Sequence, residues 1–335
     1  MSAEAETARL VPRDAADVAA ILAGAVRPLE PVGGGSKRQI GRPVDAQLLD
    51  LGALAGIVTY EPAELVLTAN AATPLGTIES ALAAHAQRLA FEPPDFARLF
   101  GHQRGQTIGG VLAANLAGSR RVTAGAARDH FLGFRAVTGR GELFKAGGKV
   151  VKNVTGYDLP KLLAGSWGTL AVLTEVTIRV APAPELDRTL VVAAGSIGEC
   201  LALLGGSLRS AHDVSAAGVD PAHGALIRLE GFAPSVEART RALCDELRCT
   251  PRQVLEDSAS RDCWRALASG EALAASPVVW RISVPPTDAL RVLERLDTER
   301  YLVDWGGGLV LAGFDAVDAQ RVRAALTTGH ATLLK

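Results

Sequence analysis

Two stretches decide how this chain reads. The first is Gly105-Gln-Thr-Ile-Gly-Gly-Val-Leu-Ala-Ala-Asn-Leu-Ala-Gly-Ser-Arg-Arg121; the second is Lys149-Val-Val-Lys-Asn-Val-Thr-Gly-Tyr-Asp158, closed by Gly165-Ser-Trp-Gly-Thr-Leu-Ala-Val172. Both put glycine where a helix or strand should be gaining side chains to pack. A residue without Cβ weakens such an element, so it marks positive φ or close approach of another group. Within the first stretch Thr107 is placed to cap a helix carrying Val111, Leu112 and Leu116 and stopping at Gly118. Free amides and the positive dipole end at Thr107-Ile-Gly-Gly110 then favour an anion. Paired glycines cost about 1 kcal/mol each against alanine in a helix. Either tight helix–sheet packing or close approach of a flat, phosphate-bearing ligand offsets that cost.

Upstream, Gly33-Gly-Gly-Ser-Lys37 offers successive backbone N–H groups with a hydroxyl and an ammonium beside them. It is not a Walker A loop, since no Gly-Lys-Ser/Thr follows at the required spacing. It is not a dinucleotide fingerprint either, because Arg38 stands where the third glycine belongs and no helix follows. Asn115, Ser119, Arg120 and Arg121 gather polar groups at the helix end, and Lys152-Asn-Val-Thr-Gly-Tyr-Asp158 places a Lys, an Asn, a Tyr and an Asp around one glycine. That run reads either as a capped helix start or as a polar wall beside a ring.

With 335 residues the chain can bury two cores, and 48% hydrophobic against 21% charged residues is the balance of a folded protein. A formal charge of −1 gives no overall pull toward nucleic acid or anionic lipid. Four of the six lysines are Lys145, Lys149, Lys152 and Lys161. Cys200, Cys244, Cys249 and Cys263 form no CxxC pair and have no histidine at zinc-ligand spacing, so reduced, mostly buried thiols and no metal are expected. The acidic start Met1-Ser-Ala-Glu-Ala-Glu lacks a basic signal region, and no uncharged apolar run is long enough to span a membrane; a cytoplasmic protein is expected.

Along the chain, Asp14 caps a helix with Val18, Ile21, Leu22 and Val26 on one face. Strands are expected at 29–32, 47–51 and 65–69, and a helix opening at Thr73-Pro74 buries Leu75, Ile78 and Leu82. Gly139-Arg-Gly141 joins two strands as a hairpin, and a long strand covers 171–180. From Asp187 onward, β-α-β-β-α order occurs twice without sequence repetition. An antiparallel sheet with helices on one face, in the ferredoxin-like manner, follows from it.

The segments Thr-Ile-Gly-Gly, Asn-x-x-Gly-Ser-Arg-Arg, Lys-Asn-Val-Thr-Gly-Tyr-Asp-Leu and Gly-Ser-x-Gly-Thr-Leu, in this order behind Gly-Gly-Gly-Ser, resemble the FAD-binding domain shared by vanillyl-alcohol oxidase, p-cresol methylhydroxylase (PCMH) and D-lactate dehydrogenase. Within that family the chain looks like the shorter FAD-binding subunits of bacterial glycolate oxidases. The resemblance covers residues 15–185, and extends more thinly through Trp280-Arg-Ile-Ser-Val-Pro and Asp304-Trp-Gly-Gly-Gly. It implies an α+β fold: a two-subdomain PCMH-type FAD-binding domain at 1–185, divided near residue 55, and a ferredoxin-like cap at 186–335. Gly33, Gly34, Gly35, Ser36 and Lys37 would cradle the pyrophosphate. Thr107, Ile108, Gly109 and Gly110 would approach the pyrophosphate and ribityl side, with Asn115, Gly118 and Ser119 along the same wall. Gly156 and Tyr157 would lie near the isoalloxazine, and Gly168, Thr169, Leu170 and Val172 would line the channel. None of His85, His102 or His130 stands in an obvious attachment position, so noncovalent FAD is expected.

Catalytic members carry histidine and acidic clusters of the Gly-Asp-Gly-Asn-x-His and Glu-His-Gly kind, which this chain lacks. No catalytic residue is assigned; Arg228, Arg281 or Arg265 would serve as a carboxylate clamp only if the cap turned them inward. The resemblance therefore implies a flavoprotein subunit of a glycolate oxidase complex, an oxidoreductase acting on a CH–OH group together with a catalytic FAD subunit and an iron–sulfur subunit. Peripheral attachment to the inner membrane through that complex goes with it. A self-sufficient 2-hydroxy-acid dehydrogenase and a non-catalytic scaffold subunit are the alternatives.

Overall fold

The computed structural model describes residues 9–148 and 156–335. The expected run Lys149–Thr155, with Lys149 and Lys152, lies outside the described residues.

The chain opens with α1 (Ala15–Ala23), where the Asp14 carboxylate accepts the Asp17 amide at 2.8 Å. Val18 is fully buried, but the helix ends before Val26, which is exposed. Strands β1 (Leu29–Val32) and β2 (Gln47–Asp50) pair in parallel, and Val18, Leu49, Leu51, Ala72, Val137 and Val172 share a small core.

Next come β3 (Ile57–Glu61), β4 (Val66–Asn70), α2 (Leu75–Ala83), β5 (Gln87–Arg88), α3 (Ala97–Phe100), α4 (Ile108–Ala114), α5 (Arg121–Ala124), β6 (Phe131–Thr138), β7 (Leu143–Gly147), α6 (Leu159–Leu163), β8 (Ala171–Arg179) and β9 (Ala181–Pro182). Five of the strands form an antiparallel sheet in the order β3-β4-β8-β6-β7. Strand β3 escapes sequence reading because it is an edge whose Val58 faces out, so the alternation of a half-buried strand is missing. Thr73 does not cap α2 either: Pro74 holds the cap position, and the Thr73 hydroxyl bonds instead to Gly56 and Asn70 backbone.

The remainder comprises β10 (Leu186–Val192), α7 (Ile197–Arg209), β11 (Val214–Asp220), β12 (Gly224–Gly231), α8 (Ala233–Leu247), β13 (Gln253–Glu256), α9 (Asp257–Ser269), β14 (Val278–Ser283), α10 (Ala289–Leu296), β15 (Tyr301–Asp304), β16 (Leu309–Phe314), α11 (Ala319–Ala324) and β17 (His330–Leu333). All eight strands join one antiparallel sheet, β13-β10-β12-β11-β15-β16-β14-β17. In each half the order is fourth, first, third, second, the ferredoxin-like arrangement. The two passes meet edge to edge at β11 and β15, with Val219 opposite Val303. Joining these edges removes two unpaired strands from solvent.

One face of this sheet packs on α7, α8, α10 and α11 through Leu204, Leu243, Val292 and Val322. The other face, with Val191, Leu226, Val279, Leu302 and Leu311, packs on α9 and on Phe96, Leu99, Phe100 and Leu116 of the first half. The α9 segment looks irregular in sequence because its inner face is Ser260, Trp264 and Leu267, only two of them large and apolar.

Candidate functional site

Two chain segments far apart in sequence meet at the Gly33–Lys37 loop. A Cβ on Gly33 would stand 2.4 Å from Thr107 Oγ1, and one on Gly34 would stand 1.8 Å from the Gly105 carbonyl oxygen. Lys37 Nζ donates to Gln106 Oε1 at 2.7 Å, and His102 Nε2 lies 3.2 Å from the Ser36 carbonyl oxygen. The loop is thus pressed onto residues 102–107, and its glycines are required by that contact.

Among the described residues no protein acceptor takes the backbone N–H of Gly33, Gly34, Gly35, Ser36 or Lys37. Gly35 has φ +69°, a left-handed conformation that side chains rarely adopt. Among the described residues the Lys37 ammonium bonds only to the neutral oxygens of Ser36 and Gln106. Burial pushes it down to about 8, outweighing the opposing charge of Asp95. Donors without acceptors among the described residues, beside a cation whose printed bonds go to neutral oxygens, are what a diphosphate needs, so these residues fit the phosphate end of FAD.

The helix start at Thr107 behaves differently from expectation. Thr107 caps α4, its hydroxyl accepting the Gly110 amide at 3.4 Å. The Ile108 amide, however, donates to Thr73 O at 3.1 Å and the Gly109 amide to Ala71 O at 2.8 Å. A Cβ on Gly109 would lie 2.7 Å from that same Ala71 oxygen. The paired glycines therefore serve close backbone packing at Gly109, while Gly110 is exposed. Ile108 is fully buried in the core. The helix stops earlier than Gly118, at Asn115, whose φ of 51° ends it and whose Oδ1 accepts the Arg128 amide.

Gly118 and Ser119 lie on the seam between the two halves of the chain. Gly118 O accepts the Trp305 indole N–H at 3.0 Å, and Ser119 Oγ donates to Asp304 Oδ2 at 2.6 Å. Asp304 also accepts the Trp305 amide; burial nonetheless raises its carboxyl to about 7. Gly168 (φ +77°) lies 3.5 Å, measured from its ideal Cβ, from Pro31 in β1, and Thr169 bonds to Ser166 O. Val172 is buried beneath β2, Leu170 is exposed, and Gly156 and Tyr157 lie in the open at the end of the described segment.

Of the three arginines named as conditional clamps, Arg228 is consumed by Asp187 and Glu92, and Arg265 is an exposed partner of Asp262. Arg281 lies at the seam as well, over the Trp305 ring. Trp305, Asp304 and Gln106 escaped assignment by sequence, although Asp304-Trp-Gly-Gly-Gly had the signal of glycines following an apolar strand. Cys200 is buried, whereas Cys244, Cys249 and Cys263 are partly exposed, against the expectation of mostly buried thiols.

Residues 7–147 match the family described as FAD binding domain. The chain is 38% identical over 309 residues to the glycolate oxidase subunit GlcE of Escherichia coli (strain K12), covering 91% of this chain and 81% of that protein. It belongs to the GlcE family of glycolate oxidase subunits. The glycolate oxidase subunit GlcD of Bacillus subtilis (strain 168) is 39% identical over 101 residues, 30% of this chain and 21% of that protein. Among solved structures, xylooligosaccharide oxidase from Myceliophthora thermophila C1 superposes with a TM-score of 0.68 at 15% identity, over 95% of this chain and 79% of that one. The fold is therefore of the PCMH type, and the cofactor of this family domain is FAD. Among the described residues no helix is long and apolar enough to cross a membrane.

The cradle makes a prediction for Lys37. A lysine held below its ordinary value penalises the flavin-free fold while it stays charged, below pH 8; the penalty fades as pH rises toward 10.5 and the folded lysine deprotonates. Lys37→Met is expected to stabilise the flavin-free chain by about 1–3 kcal/mol at pH 7 and to weaken FAD binding by about tenfold or more. Urea unfolding at pH 7 and at pH 10, with a flavin titration, checks both signs.

Proposed function

We propose that this chain is the FAD-binding subunit of a complex that oxidises glycolate to glyoxylate, working beside a catalytic FAD subunit and an iron–sulfur subunit. The reading rests on the near full-length match to a GlcE subunit, joined to a cradle of unpaired amides at Gly33–Lys37. FAD supplies the two-electron acceptance and the onward passage of electrons. Gly33–Lys37 would hold the diphosphate through backbone N–H groups, with Lys37 balancing its charge. Gly110, Asn115, Gly118, Ser119 and the 168–172 segment would line the remaining cofactor, and Gly156 and Tyr157 would flank its ring end.

No histidine–acid cluster of the catalytic subunits is present, so glycolate turnover belongs to the complex. The purified chain is expected to bind one FAD noncovalently, giving a flavin absorption spectrum that is lost on denaturation and filtration. Under anaerobic conditions glycolate should bleach the flavin of the assembled complex. Bleaching by the isolated chain would favour a self-sufficient dehydrogenase, and a chain that takes up no flavin would leave only a scaffold role.

A further inference from the structure

Trp305 carries two cations contributed by opposite halves of the chain. The guanidinium carbon of Arg121, from α5, lies 5.2 Å from the centre of its ring, and that of Arg281, from β14, lies 5.0 Å away. The indole N–H bonds to Gly118 O, which pins the ring to the seam with only 9% of its surface exposed. Among the described residues neither guanidinium makes a salt bridge or a hydrogen bond. That sets them apart from Arg88, Arg120 and Arg228 close by, each of which faces a carboxylate. Asp304, the acid whose charge acts on Arg281, spends its oxygens on Ser119 Oγ and the Trp305 amide. Burial and the charge of Arg121 together push Arg281 down to about 10, against the pull of Asp304.

Two partly buried like charges on one ring repel each other, and cation–π contact offsets only about 0.5–2 kcal/mol for each. Stacking leaves the in-plane N–H donors of a guanidinium unused, and that fork matches a carboxylate. Gly118 and Ser119, on the expected cofactor wall, adjoin the same ring. We infer that Arg121, Arg281 and Trp305 form a receptor for the carboxylate of a small 2-hydroxy acid, at the seam between cap and cofactor half. The choice of acid rests on the reading as a glycolate oxidase subunit; the anion site rests on the geometry alone.

Calorimetric titration of glycolate, and separately of oxalate, into the full-length flavin-loaded chain tests this. Saturable binding is expected for the unaltered protein. It should weaken at least about tenfold in Arg281→Gln and in Arg121→Gln, and less in Arg281→Lys, with flavin content and melting temperature unchanged. Should Arg281→Gln fail to fold, Arg121→Gln in the largely exposed α5 carries the comparison. Unaltered affinity in the glutamine variants overturns the inference. So does the absence of saturable binding of either acid to the chain both alone and in the complex purified from source cells. Release of a partner subunit by Arg281→Gln with acid binding intact would make the cluster a docking site for an acidic side chain and equally overturn it. Acid binding retained by a chain that takes no flavin would instead sink the proposed function and leave this site standing.

Discussion

Arg228→Ala is expected to cost about 3–5 kcal/mol of stability, the loss that follows when a buried cation is taken from the carboxylates it pairs. Arg228 is 1% exposed and joins the two halves of the chain. Its Nε donates to Asp187 Oδ1 at 2.9 Å, and its Nη1 donates to Glu92 Oε2 at 2.9 Å, across the seam. Glu230 lies 3.4 Å away and also pairs with Arg88 and Arg120 from the cofactor half. Burial alone would raise Glu230; Arg228, Arg120 and Arg88 outweigh it and hold the carboxyl at about 2. Its contribution is therefore present above its unfolded value and lost only as pH falls toward 2.

Without Arg228, Asp187 would keep Ser260 as its side-chain donor inside an apolar layer, and acid unfolding should begin at a higher pH. Urea unfolding followed by circular dichroism, repeated between pH 3 and pH 7, measures both effects. The double variant Arg228→Met/Asp187→Leu should regain much of the loss, because no unpaired charge remains between those two residues. A single variant as stable as the unaltered protein would mean the network is not what clamps cap to cofactor half.

Gly34→Val should abolish most flavin retention. Its Cβ would occupy space 1.8 Å from the Gly105 carbonyl oxygen, a backbone atom that cannot rotate away. One of the two segments must move, opening the contact that holds Lys37 against Gln106 and disordering the cradle amides. Overpacking of this kind costs about 1–3 kcal/mol, which read as lost cofactor affinity is roughly tenfold to a hundredfold. Gly110→Ala is the control. A Cβ there meets only Thr107 Oγ1 at 3.2 Å on an exposed face, so flavin content should fall less than in Gly34→Val. Flavin-to-protein absorbance ratios after gel filtration check the ranking, and equal retention in both would remove the cradle from Gly33–Lys37.

The glycines expected at the cofactor divide according to what each one faces. From sequence, the pair Gly109-Gly110 and the loop Gly33–Gly35 carry the same signal, a missing Cβ in a place that should pack. In the folded chain Gly109 meets the Ala71 carbonyl and its amide is already taken, whereas the loop amides have no protein acceptor among the described residues. Sequence could not separate them, because the residue that fills the space in front of each glycine lies elsewhere in the chain. The same holds for the consecutive pair Arg120 and Arg121. The first turns to Glu230 and the Ala90 carbonyl, the second to Trp305, though both look like one basic cluster.

What the sequence determined by itself was local or motif-borne. Asp14 caps the first helix because a short carboxylate reaches back to the Asp17 amide, and Gly139-Arg-Gly141 turns a hairpin because its Gly141 adopts φ +80°. The order β-α-β-β-α repeated after Asp187 fixes two ferredoxin-like passes, and the spaced motifs place the chain in its flavin family. Tertiary structure alone decided the rest. It joined β11 to β15 through backbone hydrogen bonds that no side-chain pattern encodes, producing one eight-stranded sheet from two passes. It also brought Arg281 and Trp305 of the cap onto Arg121 and Gly118 of the cofactor half. A charge without a counter-ion is visible only when every neighbour in space is known, and those neighbours are far apart in the chain.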